Sequence, residues 1–597
     1  MPVIGISVKQ LSDLLGQSIT SEKLSDTLEY LGCDVDGMGK TIVYRCPNCG
    51  FFMEKQEHEE GPKRCTQCGH EQEEIFASVD EEETIRLDLL PARPDLFDAG
   101  GLSRTLKGYL GIEKGLAEFD LAPAQVDVFV SDELQREESY RPYIACAIVR
   151  IAAVDAKLLR TIMKLQENLH WGIGRDRKLA SIGIYDLDTI KGPIYYKAVA
   201  PEELEFYPLG NAEEKMTPKQ VLDKHPKGKA YAHLLENSKK YPLLIDSSGQ
   251  VLSMPPIINS EETRVREGST NLFIDVTGLT QTDVHKSLNT LVSSLVELGG
   301  SVELVNLVHG ETKTTTPDLA LRKIRINAER ARRWLGINFT IPEFKELLEK
   351  MRFRVDGRFP NYEIYYPGFR TDIKHEVDIF EDLGIAYGYH NIQPKMVETL
   401  TVAQARPEEL ISEKARQIML GLGYNEIMSL MLTTEANHFT KFQLTPGEDH
   451  AIIENPKLVE HNIVRCHLMT GLFESFVKNK RKPMPQKYFE LGNVVHVGNE
   501  KHDTNTWEER RLCLAIIGPR ASYAEIRSYV DGILSELGWT GTYSRSSHPS
   551  FIEGRCAEVE IATGKIVLGE IHPQVIVNFG LGNPIAVAEI PLAVLFK

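Results

Sequence analysis

Two Cys-x-x-Cys pairs, CPNC at Cys46 and Cys49 and CTQC at Cys65 and Cys68, are separated by fifteen residues in a chain otherwise poor in cysteine. Four thiolates at this spacing close a tetrahedron around zinc and leave no open position for water. The pattern predicts one structural Zn2+ held by Cys46, Cys49, Cys65 and Cys68 in a ribbon over about residues 42–76, a site that folds a loop and does not catalyse. His58 and His70 could each replace a cysteine, but four sulfurs already complete the shell. Within the ribbon Arg45, Lys55, Lys63 and Arg64 are balanced by Glu54, Glu57, Glu59 and Glu60, and acidic residues then crowd Glu71 to Glu83. That is a poor footprint for gripping phosphates, so a structural or protein-contact role is expected.

A second constellation is acidic. Asp378, Glu381 and Asp382 stand at i, i+3 and i+4, which puts three carboxylates on one helical face, and Asp372 lies just upstream. Clustered carboxylates repel unless a hard cation sits among them, and Mg2+ takes one or two directly plus bound waters. A solvated acidic face at a helix amino terminus is the alternative. GIGRDRK, Gly172 to Lys178, has the glycines of a phosphate loop but not the Lys-Ser/Thr that follows them in a Walker sequence. RINAERARRW is the richest basic helix; Arg330, Arg332 and Arg333 wrap around more than one face, which weakens a single-groove reading.

These groups must be positioned by a chain of 597 residues with net charge −17, long enough for about four domains. The global acidity confines any nucleic-acid contact to local basic patches. Nine cysteines, an odd and sparse set, argue against a disulfide framework. MPVIGISVKQ has no signal-peptide pattern and no apolar run reaches membrane-spanning length. A cytoplasmic chain with reduced thiols and no membrane partner is expected.

The elements repeat. ISVKQLSDLLGQSITSEKLSDTLEYLGCDV from Ile6 aligns without gaps on INAERARRWLGINFTIPEFKELLEKMRFRV from Ile326, with Leu15-Gly16 on Leu335-Gly336, Thr20 on Thr340 and Leu28 on Leu348. Each copy reads as a short amphipathic helix ended by Gly, a Thr-capped helix and an extended segment, which suggests a winged-helix-like unit. The likeness resumes where Arg93-x-Asp95 answers Arg370-x-Asp372, but the first copy now carries 43 additional residues. The four cysteines fall in that gap, so the ribbon is an insertion, expected to lie away from the segments that do chemistry. At the three helical acidic positions the first copy offers Gly101, Arg104 and Thr105 instead.

RTDIKHEVDIFEDLGIAYGY, with LPARPDLF, LHWGIGRDRKLASIGIYDLD and VLSMPPIINSEETRV, resembles the beta subunit of phenylalanyl-tRNA synthetase, in its shorter archaeal and eukaryotic form. The resemblance runs from Gly5 to the carboxyl terminus; the ribbon departs from it. It implies an α+β multidomain fold: a winged-helix-like unit with the ribbon (1–120), a mixed α/β tRNA-editing domain (121–305), a second winged-helix-like unit with the acidic set (306–397), and a class II synthetase-like antiparallel domain lacking catalytic residues (398–597). It implies an alpha2-beta2 heterotetramer in which the alpha subunit uses ATP to join phenylalanine to tRNA. It also assigns Mg2+ to Asp372, Asp378, Glu381 and Asp382.

The middle segment is then expected to hydrolyse tyrosyl-tRNA. Tyrosine exceeds phenylalanine by one hydroxyl, which an apolar pocket alone rejects only about 100-fold, so a second site with polar partners is needed. The resemblance places this editing pocket at Leu244, Ser253, Asp275 and Thr277, with Asn259, Ser260 and Glu261 as further candidates. Asp275 and Thr277 alternate along a strand-like run and share a face, although ordinary strand-end polar residues would look the same. No nucleophilic triad stands out, so a positioned water is expected. Arg175, Arg177 and Lys178 are candidate tRNA contacts, a solvated turn being the alternative. In the last third no arginine follows Arg555, so the final helix lacks an ATP clamp; Arg465 could mimic another, but Cys466 and His467 follow it. Two other functions remain: a non-enzymatic tRNA-binding or assembly paralogue, and a zinc-dependent nucleic-acid-binding protein, which the charge balance disfavours.

Overall fold

The computed structural model describes residues 3–66, 68–88, 92–135, 141–498 and 503–595. The chain divides into two compact units, Met1–Met396 and Val397–Lys597. Among the described residues no helix is long and apolar enough to cross a membrane.

Both halves of the duplication in the first unit run strand, helix, helix, strand, strand, helix. The first comprises Val3–Ser7, Val8–Leu15, Ser21–Tyr30, Asp34–Arg45, Ser78–Asp88 and Ala99–Tyr109; the second comprises Arg322–Asn327, Ala328–Leu335, Ile341–Lys350, Arg354–Arg358, Asn361–Tyr366 and Glu376–Tyr387. In each sheet the later strand lies in the middle, paired with the other two. The first helix of each copy ends at a glycine in the left-handed region, Gly16 at φ 69° and Gly336 at φ 68°. The second is capped by a threonine, Thr20 or Thr340, whose hydroxyl accepts a backbone N–H. Arg93 forks onto Asp95 at 2.9 and 2.9 Å, and Arg370 forks onto Asp372 at 2.9 and 2.7 Å, so the Arg-x-Asp element is the same object twice.

The extra residues of the first copy sit between Asp34–Arg45 and Ser78–Asp88, where they add the strand Phe52–Gln56 and both cysteine pairs. Between the two copies lies a ten-stranded mixed sheet. Its strand Asn271–Gly278 is flanked by Tyr143–Arg150 and Ala180–Asp186 and is buried from its second residue onward. Helix Gln281–Glu297 presents small residues to the first copy. Arg104 Nη1 donates to Ser293 O at 2.9 Å, Gly101 N to Ser294 Oγ at 3.1 Å, and the Ser294 hydroxyl to Asp98. A Cβ at Gly100 would stand 2.7 Å from Ser294 O, so the helices approach too closely for any side chain there. One hydrophobic core joins both copies to this sheet, with Leu11 and Leu28, Leu291 and Ile274, and Phe344 and Leu348 among its buried members.

The second unit holds a seven-stranded sheet, antiparallel except where Asn425–Glu426 pairs with Gln486–Val497. Strand Thr506–Ile517 shows how the sheet is packed. Leu512, Leu514 and Ile516 enter one core with helices Pro407–Gly421 and Tyr523–Glu536, while Cys513, Ala515 and Ile517 enter another with Met469–Lys478.

Two glycine substitutions test this construction by urea unfolding. Gly336→Ala meets no atom within 4 Å, so it is expected to cost only the left-handed backbone penalty, about 1 kcal/mol. Gly100→Ala forces two helices apart and is expected to cost about 1–3 kcal/mol. Neutral effects at both positions would contradict the structure.

Candidate functional site

A cavity of about 1120 Å3, open mouth included, lies in the first unit against strands Ala180–Asp186 and Asn271–Gly278 and helix Ala156–Trp171. Its polar feature is a buried cluster. The Tyr185 hydroxyl lies 2.5 Å from Asp275 Oδ1 and 2.7 Å from Ser253 Oγ. With a single proton, Tyr185 donates to the carboxylate and accepts from the serine hydroxyl. All three side chains are buried and line the cavity or its floor. Gly183 stands directly opposite Asp275 in the sheet, and a Cβ there would fall 2.0 Å from the Tyr185 oxygen and 2.3 Å from Asp275 Oδ1. Only glycine leaves room for the pair.

Burial pushes the Asp275 carboxyl up to about 7, against the lowering effects of the Tyr185 hydrogen bond and of Arg141. The Arg141 guanidinium is fully buried and donates to Thr277 O at 2.6 Å, Arg177 O at 3.1 Å and Ser181 Oγ at 3.3 Å. The same burial, then the Asp275 charge, holds the Tyr185 phenol well above its ordinary value. His170 Nε2 accepts the Ile182 N–H at 2.8 Å, and burial keeps its imidazole below the usual range. It is a neutral wall residue whose basic nitrogen is occupied. A buried carboxylate poised near neutrality, facing a cavity, can accept a hydrogen bond from a bound hydroxyl or a water.

The sequence-derived pocket is divided by the structure. Ser253 and Asp275 face the cavity, with Asn259 at its edge. Leu244 pairs with Ser253 in the sheet and packs in the core behind it. Thr277 also lies behind, bonded to Ser181 at 3.1 Å and to Arg141 at 3.3 Å. Tyr185, Gly183 and Arg141 escaped the sequence reading, though IGIYD placed the first two on one strand face at spacing two. In the loop after His170, residues Arg175, Asp176 and Arg177 are all left-handed, with φ of 45°, 54° and 66°. Arg175 and Lys178 are exposed. Arg177 corrects the expectation of a tRNA contact: it is buried, bonded to Glu167 at 2.8 Å and Ile257 O at 3.0 Å, and stacked on Tyr231.

The four cysteines converge. Their sulfurs all lie within 4.8 Å of one another, with Cys46 to Cys68 at 3.8 Å and Cys49 to Cys65 at 3.5 Å. Each pair is a knuckle: Gly50 N donates to Cys46 O at 2.9 Å and Gly69 N to Cys65 O at 3.0 Å, both glycines at positive φ. This cluster could hold a metal ion, and it is the one such group among the described residues. Nor does the ribbon lie away from the cavity: Cys49, Gly50 and Phe51 line it.

The acidic set is arranged otherwise. Arg370 donates to Asp372 at 2.7 Å and to Asp382 at 2.6 Å, so one guanidinium is shared between both. Asp378 accepts the N–H groups of Lys374 and His375, each at 2.7 Å, as a helix cap, and Glu381 is exposed. Within this chain Asp372 and Asp382 are thus engaged by Arg370 and Asp378 by the helix start, and Glu381 alone of the four is left facing solvent. In the second unit, Arg465 is buried against Glu490 at 2.6 Å, and the last α-helix, Pro573–Asn578, carries no cationic residue.

Comparison with known proteins agrees with this architecture. Residues 168–310 match the B3/4 domain, residues 324–389 the tRNA synthetase B5 domain, and residues 392–592 the phenylalanyl tRNA synthetase beta chain CLM domain. The phenylalanine–tRNA ligase beta subunit of Methanosphaera stadtmanae is 34% identical over 99% of this chain and 99% of its own length. That of Methanocaldococcus jannaschii is 39% identical over 88% of this chain and 94% of its own. An N-terminal fragment of the phenylalanyl-tRNA synthetase beta subunit from Pyrococcus horikoshii superimposes with a TM-score of 0.55 at 37% identity, covering 65% of this chain and 99% of the fragment. With likeness this extensive at both the sequence and the structural level, the chain belongs to the phenylalanine–tRNA ligase beta-subunit family.

Proposed function

We propose that this chain pairs with an alpha subunit in an alpha2-beta2 ligase, that the alpha subunit spends ATP to charge tRNA with phenylalanine, and that the cavity described above hydrolyses tyrosyl-tRNA made in error. The observation that carries the editing role is the buried cluster of Asp275, Tyr185 and Ser253 in the wall of an otherwise mostly apolar cavity. The ring of a tyrosyl ester fits against apolar walls, and its phenolic hydroxyl donates to Asp275. A phenylalanyl ester supplies no such donor and leaves Asp275 with Tyr185 alone, so the polar group beside the ring goes unpaired, which costs more than a missing contact in an apolar slot. Hydrolysis then proceeds by attack of a positioned water on the ester carbonyl, since among the described residues none that lines the cavity pairs a nucleophile with a free base. The cysteine cluster fits a structural zinc: tetrahedral bonds of about 2.3 Å set sulfurs about 3.8 Å apart, close to the separations observed. Zinc there would hold the two knuckles together and supply no catalysis.

Three outcomes are expected. The complex of this chain with its alpha partner clears tyrosyl-tRNA, and Asp275→Ala lowers that rate about 100-fold or more while phenylalanylation persists; clearance untouched by the substitution would remove the editing assignment. The value of kcat/KM for tyrosyl-tRNA rises with pH and levels off above about 7, as Asp275 ionises and becomes the better acceptor. A profile flat from pH 5.5 to 8 would assign recognition elsewhere. Stability moves the other way. Between the ordinary carboxyl value of 3.8 and about 7 the folded chain binds more protons than the unfolded one, so this group costs stability as pH rises through that window. Denaturation at pH 5 and 8 should show Asp275→Asn erasing part of the loss; an unchanged pH slope would mean the carboxyl is not held up by burial.

A further inference from the structure

We infer that the metal-bearing ribbon is a working wall of the editing cavity, so that metal occupancy at the four cysteines sets how the tyrosyl ester is positioned. This inference rests on the editing reading of the cavity. The ribbon reaches the cavity through its first knuckle, whose Cys49, Gly50 and Phe51 line it together with Asp275 and Ser253. It is fastened there by Arg264, whose guanidinium donates to Cys49 O with one nitrogen and to Glu261 Oε1, at 3.1 Å, with another. Glu261 in turn accepts Gly210 N at 2.9 Å. Gly210 lies under both knuckles at once: a Cβ there would stand 3.1 Å from Cys68 Cβ and 3.5 Å from Cys49 Cβ. At Gly50 a Cβ would fall 2.7 Å from Arg264 Nη2, and at Gly69 3.2 Å from Pro226 Cγ. Two further ion pairs cross the same boundary, Arg45 with Glu267 at 3.0 Å and Lys164 with Glu54 at 2.6 Å.

The physical consequence follows from how little else shapes the knuckles. Each is closed by two backbone hydrogen bonds and a positive-φ glycine, and the small core around them consists of the cysteines themselves with Tyr44, Met53 and Phe76, against which Ile42 and Phe51 pack. Without a metal, nothing forces the four sulfurs, three from buried cysteines and one from the half-buried Cys68, to stay within 4.8 Å of one another, and the knuckles separate. Cys49 O then leaves Arg264, Arg264 releases Glu261, and the loop that carries Asn259 loses its tie to Gly210. A four-thiolate zinc carries a net charge of −2, which also favours the Arg264 and Arg45 guanidiniums beside it. Cys49, Gly50, Phe51 and Arg264 are therefore positioning residues: they shape the space into which Asp275 points.

Metal analysis, kinetics and hydrogen exchange on the complex of the full chain with its alpha partner test this. The wild type is expected to carry one zinc per chain. Cys46→Ser with Cys65→Ser should lose it, keep phenylalanylation, and lower tyrosyl-tRNA hydrolysis at least 10-fold. Because that variant disturbs the whole ribbon, Phe51→Ala and Arg264→Ala supply the second arm. Both should retain zinc and raise KM for tyrosyl-tRNA about 10-fold with kcat less affected, and Arg264→Lys should recover part of the loss. Wild-type KM and kcat in the zinc-free variant, or in both zinc-retaining variants, would overturn the inference. Amide exchange reads the same coupling without catalysis. Chelation of zinc should speed exchange at residues 208–211 and 257–265 as well as 46–51, leaving strand 506–517 unchanged. Unchanged exchange at 208–211 and 257–265 overturns the inference whatever the wild-type activity. Coupled exchange in a complex that cannot clear tyrosyl-tRNA sinks the editing reading and spares the coupling.

Discussion

The first unit is organised around a carboxylate taken out of water. Asp275 sits on an interior strand of a ten-stranded sheet, where an isolated charge would be prohibitive. Its neighbours answer that constraint one by one. Gly183 vacates the space opposite it, Tyr185 donates to it, Ser253 completes the tyrosine's hydrogen bonding, and Arg141 supplies a buried positive charge anchored to the Thr277 and Arg177 carbonyls. The result is a carboxyl that burial pushes up to about 7 and that faces the cavity, an arrangement that costs stability and that an apolar sheet would never need.

The duplicated units frame this site. Docking through Gly100 and Gly101 against the serines of Gln281–Glu297 holds the first copy, which carries the inserted ribbon, against the helix that follows the Asp275 strand. The insertion lengthens the hairpin between two strands of that copy and so extends its tip over the cavity without disturbing the strand order the two copies share. In the second copy the equivalent hairpin is short, and the copy's charged helix is occupied in pairing Arg370 with Asp372 and Asp382. One scaffold thus carries two different attachments, each defined by what fills the same few positions.

What the sequence made legible was local or periodic. Paired cysteines, glycine and threonine caps and the Arg-x-Asp repeat each depend on residues a few positions apart, and the structure shows each as a discrete object. Ser253 and Asp275 were reached through family resemblance and do face the cavity. What could not be seen depends on contacts across strands or between distant loops. Tyr185 meets Asp275 across 90 residues and Arg264 meets Cys49 across 215. The one-dimensional pattern of carboxylates at 372–382 does not show that Arg370 folds back among them. Likewise Arg177 looked like a surface charge until its left-handed backbone turned it inward against Glu167. An insertion in sequence was not an outlier in space.

The most direct test of the central claim is a crystal structure of the full chain with its alpha partner bound to a non-hydrolysable tyrosyl-adenosine amide. The phenol is expected in the cavity within hydrogen-bonding distance of Asp275, with Phe51 of the ribbon against the ligand and metal density between the four cysteines. A tyrosyl group bound elsewhere, or bound here with its hydroxyl turned away from Asp275, would contradict the claim.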